Sequence, residues 1–460
     1  MSQRRPSQFG EARLQVGSIS LRCSSKRTLD DAGFSARGKE SELIACAATA
    51  EDNVDAKENS LRVRVAIVTQ GFDTGGGIPA TSRWLRHELE ATGYYSVDIH
   101  DLANSRTDAN SRRLVDAKSW FRNSLKAPLR SDIQHWGANA VEIEAMRYRP
   151  RTELNKALLN YDLVQVVSGS PALAAAVAKV SIPKVVLAAT MVKWERVSQL
   201  KTGGALVRTW RKLMTMWTSR SDLKALRRVD HVFVINSKMY EHVRSLGQSQ
   251  VVIAPPGVDV ANFTPNPDGW QSDGYLLSVC RLGDPRKGLD RAIRAYSELV
   301  QMMQHVPNLI LAGRGALPAD VLTLISQLNL KDRIEVRSDV PLVELVELMR
   351  GASIFLQTSH EEGLGISVLE AMACGLPVVA TETAGSFETV ANGESGWLVP
   401  QHDEQQLPQR IALCIKSIIE TDGLEMSIKG RTRCETYFSS SETLSRITTV
   451  YAQLISAHRS

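Results

Sequence analysis

The sequence predicts an α/β protein built from two doubly wound parallel sheets in tandem. Two observations carry this. Short apolar strands alternate with helical patterns through both halves of the 460-residue chain, which implies parallel sheets covered by helices on both faces. A polar stretch at 259–274, with Pro265, Pro267 and three aspartates, separates the two series as a linker. The composition allows it, since 43% hydrophobic and 23% charged residues are ordinary for a globular chain with two buried cores.

Residues 1–60 stand apart. They are rich in Ser, Arg, Ala and Glu without sustained periodicity, and are expected to form a disordered or weakly ordered tail. The first 28 residues carry six Lys/Arg and one acid, a faint transit-peptide composition, but a solvated tail or an over-extended gene start is the preferred reading. The first folded domain is expected over 61–258. VRVAIVTQGF (63–72) is a strand, DTGGG (73–77) a loop, and ATSRWLRHELEATG (80–93) a helix. YSVDIHDL (95–102), YDLVQVVS (161–168), PKVVLAAT (183–190), VDHVFVIN (229–236) and VVIAPPGVD (251–259) continue the series.

The second domain is expected over 275–440. Its strands are YLLSVCRL (275–282), NLILAGRG (308–315), RIEVRS (333–338), SIFLQTS (353–359), PVVAT (377–381) and GWLV (396–399). Residues 441–460 read as a terminal helix that packs back on the first domain. Ligands in such sheets bind at the carboxyl ends of the strands, so the cleft between the domains is the natural site.

Within SHEEGLGISVLEAMACG (359–375) a strand ends, a loop HEEGLG follows, and a helix begins at Ile366. The amides of Ile366, Ser367 and Val368 are expected to lack partners there and, with the helix dipole, to hold an anion. Gly363 and Gly365, on either side of Leu364, let a ligand approach the backbone. Glu370 lies one turn in, on the face of Ile366, where a carboxylate can accept from a pair of hydroxyls, as on a ribose. Glu362 points beyond the phosphate. CRLGDPRKGLD (280–290) supplies Arg281 and Lys287, with Arg286 a surface neighbour and Asp284 a cap or loop acid. Cations, an anion site and diol-binding carboxylates describe a nucleoside diphosphate bearing a polar group.

These stretches resemble the retaining, GT-B-fold glycosyltransferases of family 4. The likeness rests on APPGVDVANFTP (254–265), SVCRLGDPRKGLDRAIRAY (278–296), LILAGRG (309–315) and 358–399. It covers about 229–400 well and the first domain in outline only. It implies two Rossmann-like domains facing across a cleft, and transfer of a hexosyl unit from a nucleotide-diphosphate sugar to a hydroxyl acceptor with retained configuration. It implies no obligatory metal or other cofactor, and the chain has no Asp-x-Asp. Arg281 and Lys287 would neutralise the diphosphate and Glu370 would hold the ribose. Glu362 would hold sugar hydroxyls and support the reacting face. The amides of Ile366–Val368 would hold the distal phosphate, and Gly76 and Gly77 would form the facing loop. The family often has a histidine after the strand PKVVLAAT. Here AATMVKWERV puts Thr190 at that place, leaving Lys193, Glu195 or a substrate group, with His135 and His360 elsewhere.

The net charge of +5 is too small to argue for nucleic acid. The six cysteines have no CxxC spacing and read as reduced thiols of a cytosolic chain, Cys374 as a packing residue. No Cys/His cluster has the spacing of a zinc site. No apolar run approaches about 18 residues, and no signal-peptide core precedes the first strand. Residues 201–228 carry eight Lys/Arg and one Asp interleaved with Trp210 and Trp217. That suits an amphipathic helix on an anionic membrane surface, bringing a lipid-linked acceptor to the cleft, or a helix that packs its Trp and Met inward beneath a basic outer face. The expected setting is therefore cytoplasmic, peripheral at the inner face of the membrane, in polysaccharide or glycoconjugate synthesis. A sugar phosphorylase or nucleotide-sugar epimerase on the same frame, or a non-catalytic partner subunit, are the alternatives.

Overall fold

The computed structural model describes residues 62–73, 77–105, 108–121, 132–196 and 204–460. The tail expected over 1–60 and the loop residue Gly76 lie outside them. The fold class is the expected one: two α/β units, each around a purely parallel sheet.

The first sheet contains β1 (Val63–Thr69), β2 (Tyr95–Leu102), β3 (Ile133–Trp136), β4 (Leu163–Ser168), β5 (Lys184–Ala188), β6 (His231–Val234) and β7 (Val251–Ile253), in the order β3-β2-β1-β4-β5-β6-β7. The second contains β8 (Tyr275–Arg281), β9 (Leu309–Arg314), β10 (Ile334–Ser338), β11 (Ala352–Gln357), β12 (Val378–Thr381) and β13 (Gly396–Val399), in the order β10-β9-β8-β11-β12-β13. The strand order therefore reverses beside β1 and β4 in one sheet and beside β8 and β11 in the other. Crevices open at the carboxyl ends of strands at such switch points. Every residue of β4 and of β11 is buried, because helices cover both faces. That is why LVQVVS and ASIFLQ read as nearly continuous runs rather than alternating ones.

The helices α1 (Gly77–Ala91), α2 (Ala205–Leu226), α3 (Leu289–Met302), α4 (Ile366–Ala373), α5 (Gly423–Tyr437) and α6 (Ser440–Arg459) frame the site and the junction. The buried residues Ser82, Leu85 and Leu89, three and four positions apart, set the inward face of α1. Ser439 caps α6 by accepting from the Glu442 amide.

The terminal helix α6 lies against the first unit. The Tyr451 hydroxyl donates to Gln165 Oε1 at 2.7 Å in the core, Trp84 Nε1 donates to Ser440 Oγ at 2.9 Å, and Arg459 pairs with Asp162 at 2.7 Å. The stretch 259–274 is bound to the second unit: Trp270 Nε1 donates to the Ser353 carbonyl at 2.7 Å, and Arg431 reaches the Phe263 and Val260 carbonyls at 2.6 and 3.0 Å. Where the chain leaves the first unit and where it returns, the two crossings bond each other, Val258 N to Phe438 O at 2.8 Å and Ser440 N to Val258 O at 3.2 Å. One apolar cluster runs through this junction, from Val65 and Leu187 past Tyr451 and Phe438 to Val368 and Leu369.

Candidate functional site

The site grows from the two loops that flank the β8/β11 switch point. After β8, the Asp284 carboxylate accepts from the Arg286 amide at 3.1 Å and starts a single turn over Pro285–Lys287. Gly288 ends it with φ 60°, and a Cβ there would sit 2.3 Å from the Thr358 carbonyl oxygen. Only glycine tolerates both the left-handed backbone and this approach. The approach brings Lys287 to the β11 loop, where its Nζ meets Glu362 Oε2 at 2.5 Å. The two side chains retain 18% and 17% of their exposure, enough shielding to strengthen the pair yet open to a ligand. Arg281, more than half exposed, is held by Asp284 at 2.7 Å. Burial pushes the Asp284 carboxyl up, but hydrogen bonds from Arg286 outweigh it and hold the group below the usual carboxylate range.

After β11 the chain turns into α4 through Gly365, which holds φ 85° as the cap residue. The amides of Ile366 and Ser367 bond no backbone acceptor among the described residues. The Val368 amide corrects the expectation of three: it donates to the Gly365 carbonyl at 2.9 Å, because the left-handed cap turns that carbonyl back into the first turn. Two amides and the positive end of the helix dipole therefore face the loop. Glu370 follows one turn later. No hydrogen-bond donor meets its carboxyl among the described residues, and although some surface remains open, burial pushes its pKa up to about 7. An unpartnered, half-buried carboxylate is costly unless a ligand supplies donors.

A cavity of about 750 Å³ lies over these loops, within the size range of ligand pockets. Arg281, Lys287, Glu362, Gly363, Leu364, Gly365, Ile366 and Ser367 line it, while Val368 and Glu370 do not reach its wall. The first unit contributes Gly77, Ile78 and Thr81 from the start of α1, with Leu187, Ala189, Ile235 and Pro256. Gly77 is the first helical residue rather than part of the preceding loop. Asn236 Nδ2 crosses to the Gly363 carbonyl at 2.7 Å, so the two units touch at the edge of the cavity.

The far wall was not foreseen from the sequence. Arg314 ends β9, and Asp339, Val340, Pro341, Leu342 and Leu345 follow β10. Asp339 accepts from the Gly315 amide at 3.3 Å, and its own amide donates to the Gly313 carbonyl at 2.6 Å, joining the two loops. The signal was present in the rule that places ligands at strand carboxyl ends, since LAGRG and RSDVP are the next two such ends.

The wall from the first unit is mostly apolar, with the Thr81 hydroxyl, which donates to the Gly77 carbonyl, its one polar side chain among the described residues. Thr190 donates its amide to the Gly169 carbonyl at 2.8 Å, and neither it nor the exposed Lys193 and Glu195 lines the cavity. His360 is exposed, its amide on the Arg286 carbonyl. His135 is committed elsewhere: Nδ1 meets Asp101 and Nε2 meets Asp108, both at 2.8 Å. With both ring nitrogens donating, the bonds to Asp101 and then Asp108 push its pKa up to about 9. Asp101 also accepts from the Phe72 amide at 3.1 Å, which ties this cation to the loop after β1. A histidine raised above its unfolded pKa adds stability that is complete below about pH 6.5 and lost as pH rises through about 9. Wild type should therefore exceed His135→Gln by about 2 kcal/mol near pH 6 and match it near pH 9.5, as read by urea melts at both pH values.

Comparison with known proteins bears on the second unit most directly. Residues 265–425 match the family model for glycosyl transferases group 1. Over 212 residues, 44% of this chain, the sequence is 32% identical to the putative colanic acid biosynthesis glycosyltransferase WcaL of Escherichia coli, covering 51% of it. It is 31% identical over 226 residues, 46% of this chain and 49% of the relative, to the D-inositol 3-phosphate glycosyltransferase of Acidothermus cellulolyticus. The chain thus spans about half the length of the curated relatives it matches. Among solved structures, sucrose-phosphate synthase of Thermosynechococcus elongatus aligns with TM-score 0.62 at 19% identity, over 86% of this chain and all of that one. Anabaena HepE, solved in complex with UDP and glucose, aligns with TM-score 0.60 at 14% identity, over 85% and 100%. The fold is GT-B.

Proposed function

We propose that the protein is a retaining glycosyltransferase that moves a hexosyl unit from a nucleotide-diphosphate sugar to a hydroxyl acceptor in polysaccharide or glycoconjugate synthesis. The observation that carries the reading is the meeting of Lys287, Glu362 and the two free amides of α4 at one switch point, with Arg281 beside them. The amides and cations would hold the diphosphate, Glu370 the ribose hydroxyls, and Glu362 the sugar. Lys287, Arg281 and the helix start would stabilise charge on the departing phosphate without a metal, as fixed donors do in a shielded site. The cavity wall from the first unit holds no titratable side chain among the described residues. The acceptor proton would therefore pass to the departing phosphate oxygen as the new C–O bond forms on the face the nucleotide leaves.

The first test is a melting panel of nucleoside diphosphates and their sugars. A nucleoside diphosphate should raise Tm, and its sugar should release nucleoside diphosphate with acceptor. NMR of the product should show the anomeric configuration of the donor. An unchanged Tm with every nucleotide would overturn the reading. The mostly apolar acceptor wall also favours one alternative, a donor-binding partner subunit. Donor binding with slow hydrolysis and no transfer to any acceptor would select it.

A further inference from the structure

The proposed chemistry leaves α2 unused. Its inward face is fixed by contacts. Met214, Thr215, Thr218, Asp222 and Ala225 are buried, and the Asp222 carboxylate accepts from the Ala172 and Val192 amides at 2.9 and 3.1 Å. Those two bonds set the rotation of the helix about its axis, so the identity of the outward face follows. It carries Leu206, Trp210, Met216 and Trp217, which are 88%, 52%, 44% and 41% exposed. At 3.6 residues per turn these interleave with Lys212, Arg220, Lys224 and Arg227. All four cations are exposed, and none meets a carboxylate among the described residues. The one acid of the helix, Asp222, points inward. The first residues, Ala205–Trp210, are exposed throughout.

A cavity of about 540 Å³ opens along the same side. Met146, Tyr148, Pro150 and Trp217 form its apolar wall, Arg149, Lys224 and Arg228 its charged rim, and it contains no carboxylate. Large apolar side chains left in solvent mark an interaction surface rather than a resting helix face. The partner must accept leucine and tryptophan together with several cations. An acidic interface over an apolar interior meets that description.

We propose that the outward face of α2, with the cavity under Trp217, docks the first unit on an anionic lipid bilayer. Leu206 and Trp210 enter the boundary between headgroups and acyl chains, while Lys212, Arg220 and Lys224 meet the headgroup phosphates. Among the described residues no helix is long and apolar enough to cross a membrane, so the contact is interfacial.

The full chain should be sedimented with vesicles of phosphatidylcholine alone and with one third phosphatidylglycerol. It should follow only the anionic vesicles, with a blue shift of tryptophan fluorescence. Neutralising three cations, Lys212→Gln with Arg220→Gln and Lys224→Gln, should lower partitioning on the order of 100-fold. The pair Leu206→Ser and Trp210→Ser should lower it on the order of 10-fold or more on the same vesicles. Both variants alter exposed residues and should keep the wild-type melt and the wild-type response to nucleoside diphosphates, which separates this result from failure of the proposed reaction. No sedimentation with anionic vesicles, equal binding to neutral ones, or unchanged partitioning of either variant would overturn the docking. The first of these outcomes, with the cations still accessible, would turn the search to an acidic protein.

Discussion

Lys287→Ala is expected to lower glycosyl transfer by a factor on the order of 10³ or more, the scale at which removing one fixed charge-stabilising donor acts. The structure makes two separable effects of this change. Lys287 stands where a diphosphate would leave, and it also neutralises Glu362 at 2.5 Å. Both side chains are mostly shielded, so removing the ammonium leaves a carboxylate without its cation. That should cost about 1–2 kcal/mol of stability, less than a fully buried pair because water still reaches the site. Lys287→Ala combined with Glu362→Gln removes the stranded charge and should recover most of that stability. It should not recover turnover, since neither the cation nor the carboxylate proposed to hold the sugar is restored. Urea melts and the initial rate of nucleoside diphosphate release, measured on the two single variants and the double, separate the roles. Near-wild-type turnover in Lys287→Ala would sink the site assignment, and recovered turnover in the double variant would show that Glu362 is inhibitory rather than functional.

The pairing of Lys287 with Glu362 was legible in the sequence only as two residues with related duties. They are 75 positions apart, and their contact depends on Gly288 passing against the Thr358 carbonyl, a tertiary fact. The parallel sheets were legible because buried strands carry an apolar pattern that survives without context. The strand β3 was not, since it has four residues, all but Trp136 half-buried, and lies at the sheet edge. The helix start at Ile366 was readable from its glycines, yet the Val368 amide was misjudged because the direction of the Gly365 carbonyl depends on its backbone angle. The wall formed by Arg314 and Asp339 escaped for another reason. Each comes from a separate strand end, and no local spacing links them. For α2 the residue types suggested a surface, but both rotations of the helix fit the pattern. The Ala172 and Val192 amides, donating to Asp222, chose between them.

Glu370→Gln should raise the stability of the ligand-free protein while weakening nucleotide binding, two effects of opposite sign from one atom. The carboxyl has no hydrogen-bond donor among the described residues, and burial lifts its pKa from 4.5 to about 7. A carboxyl raised on folding favours the protonated native state. Its contribution is therefore complete below about pH 4.5 and is lost as pH rises through about 7. At pH 8 the charged form costs on the order of 1–3 kcal/mol, the lower end applying because part of the group still meets solvent. Glutamine has nearly the same shape and no charge, so the variant should melt higher than wild type at pH 8 and alike at pH 4.5. The nucleotide reverses the sign. If two ribose hydroxyls donate to Glu370, they meet an acceptor-only group, whereas an amide offers one oxygen and an opposing NH₂. Hydrogen bonds to a charged group are the stronger kind, and their loss should weaken nucleoside diphosphate binding about 10- to 100-fold at pH 8. A residue kept for packing or for a structural hydrogen bond would show the reverse pattern, a lower melt with unchanged affinity. Destabilisation therefore argues against the ribose assignment as strongly as retained affinity does, and calorimetric titration beside thermal melts decides it on one pair of proteins.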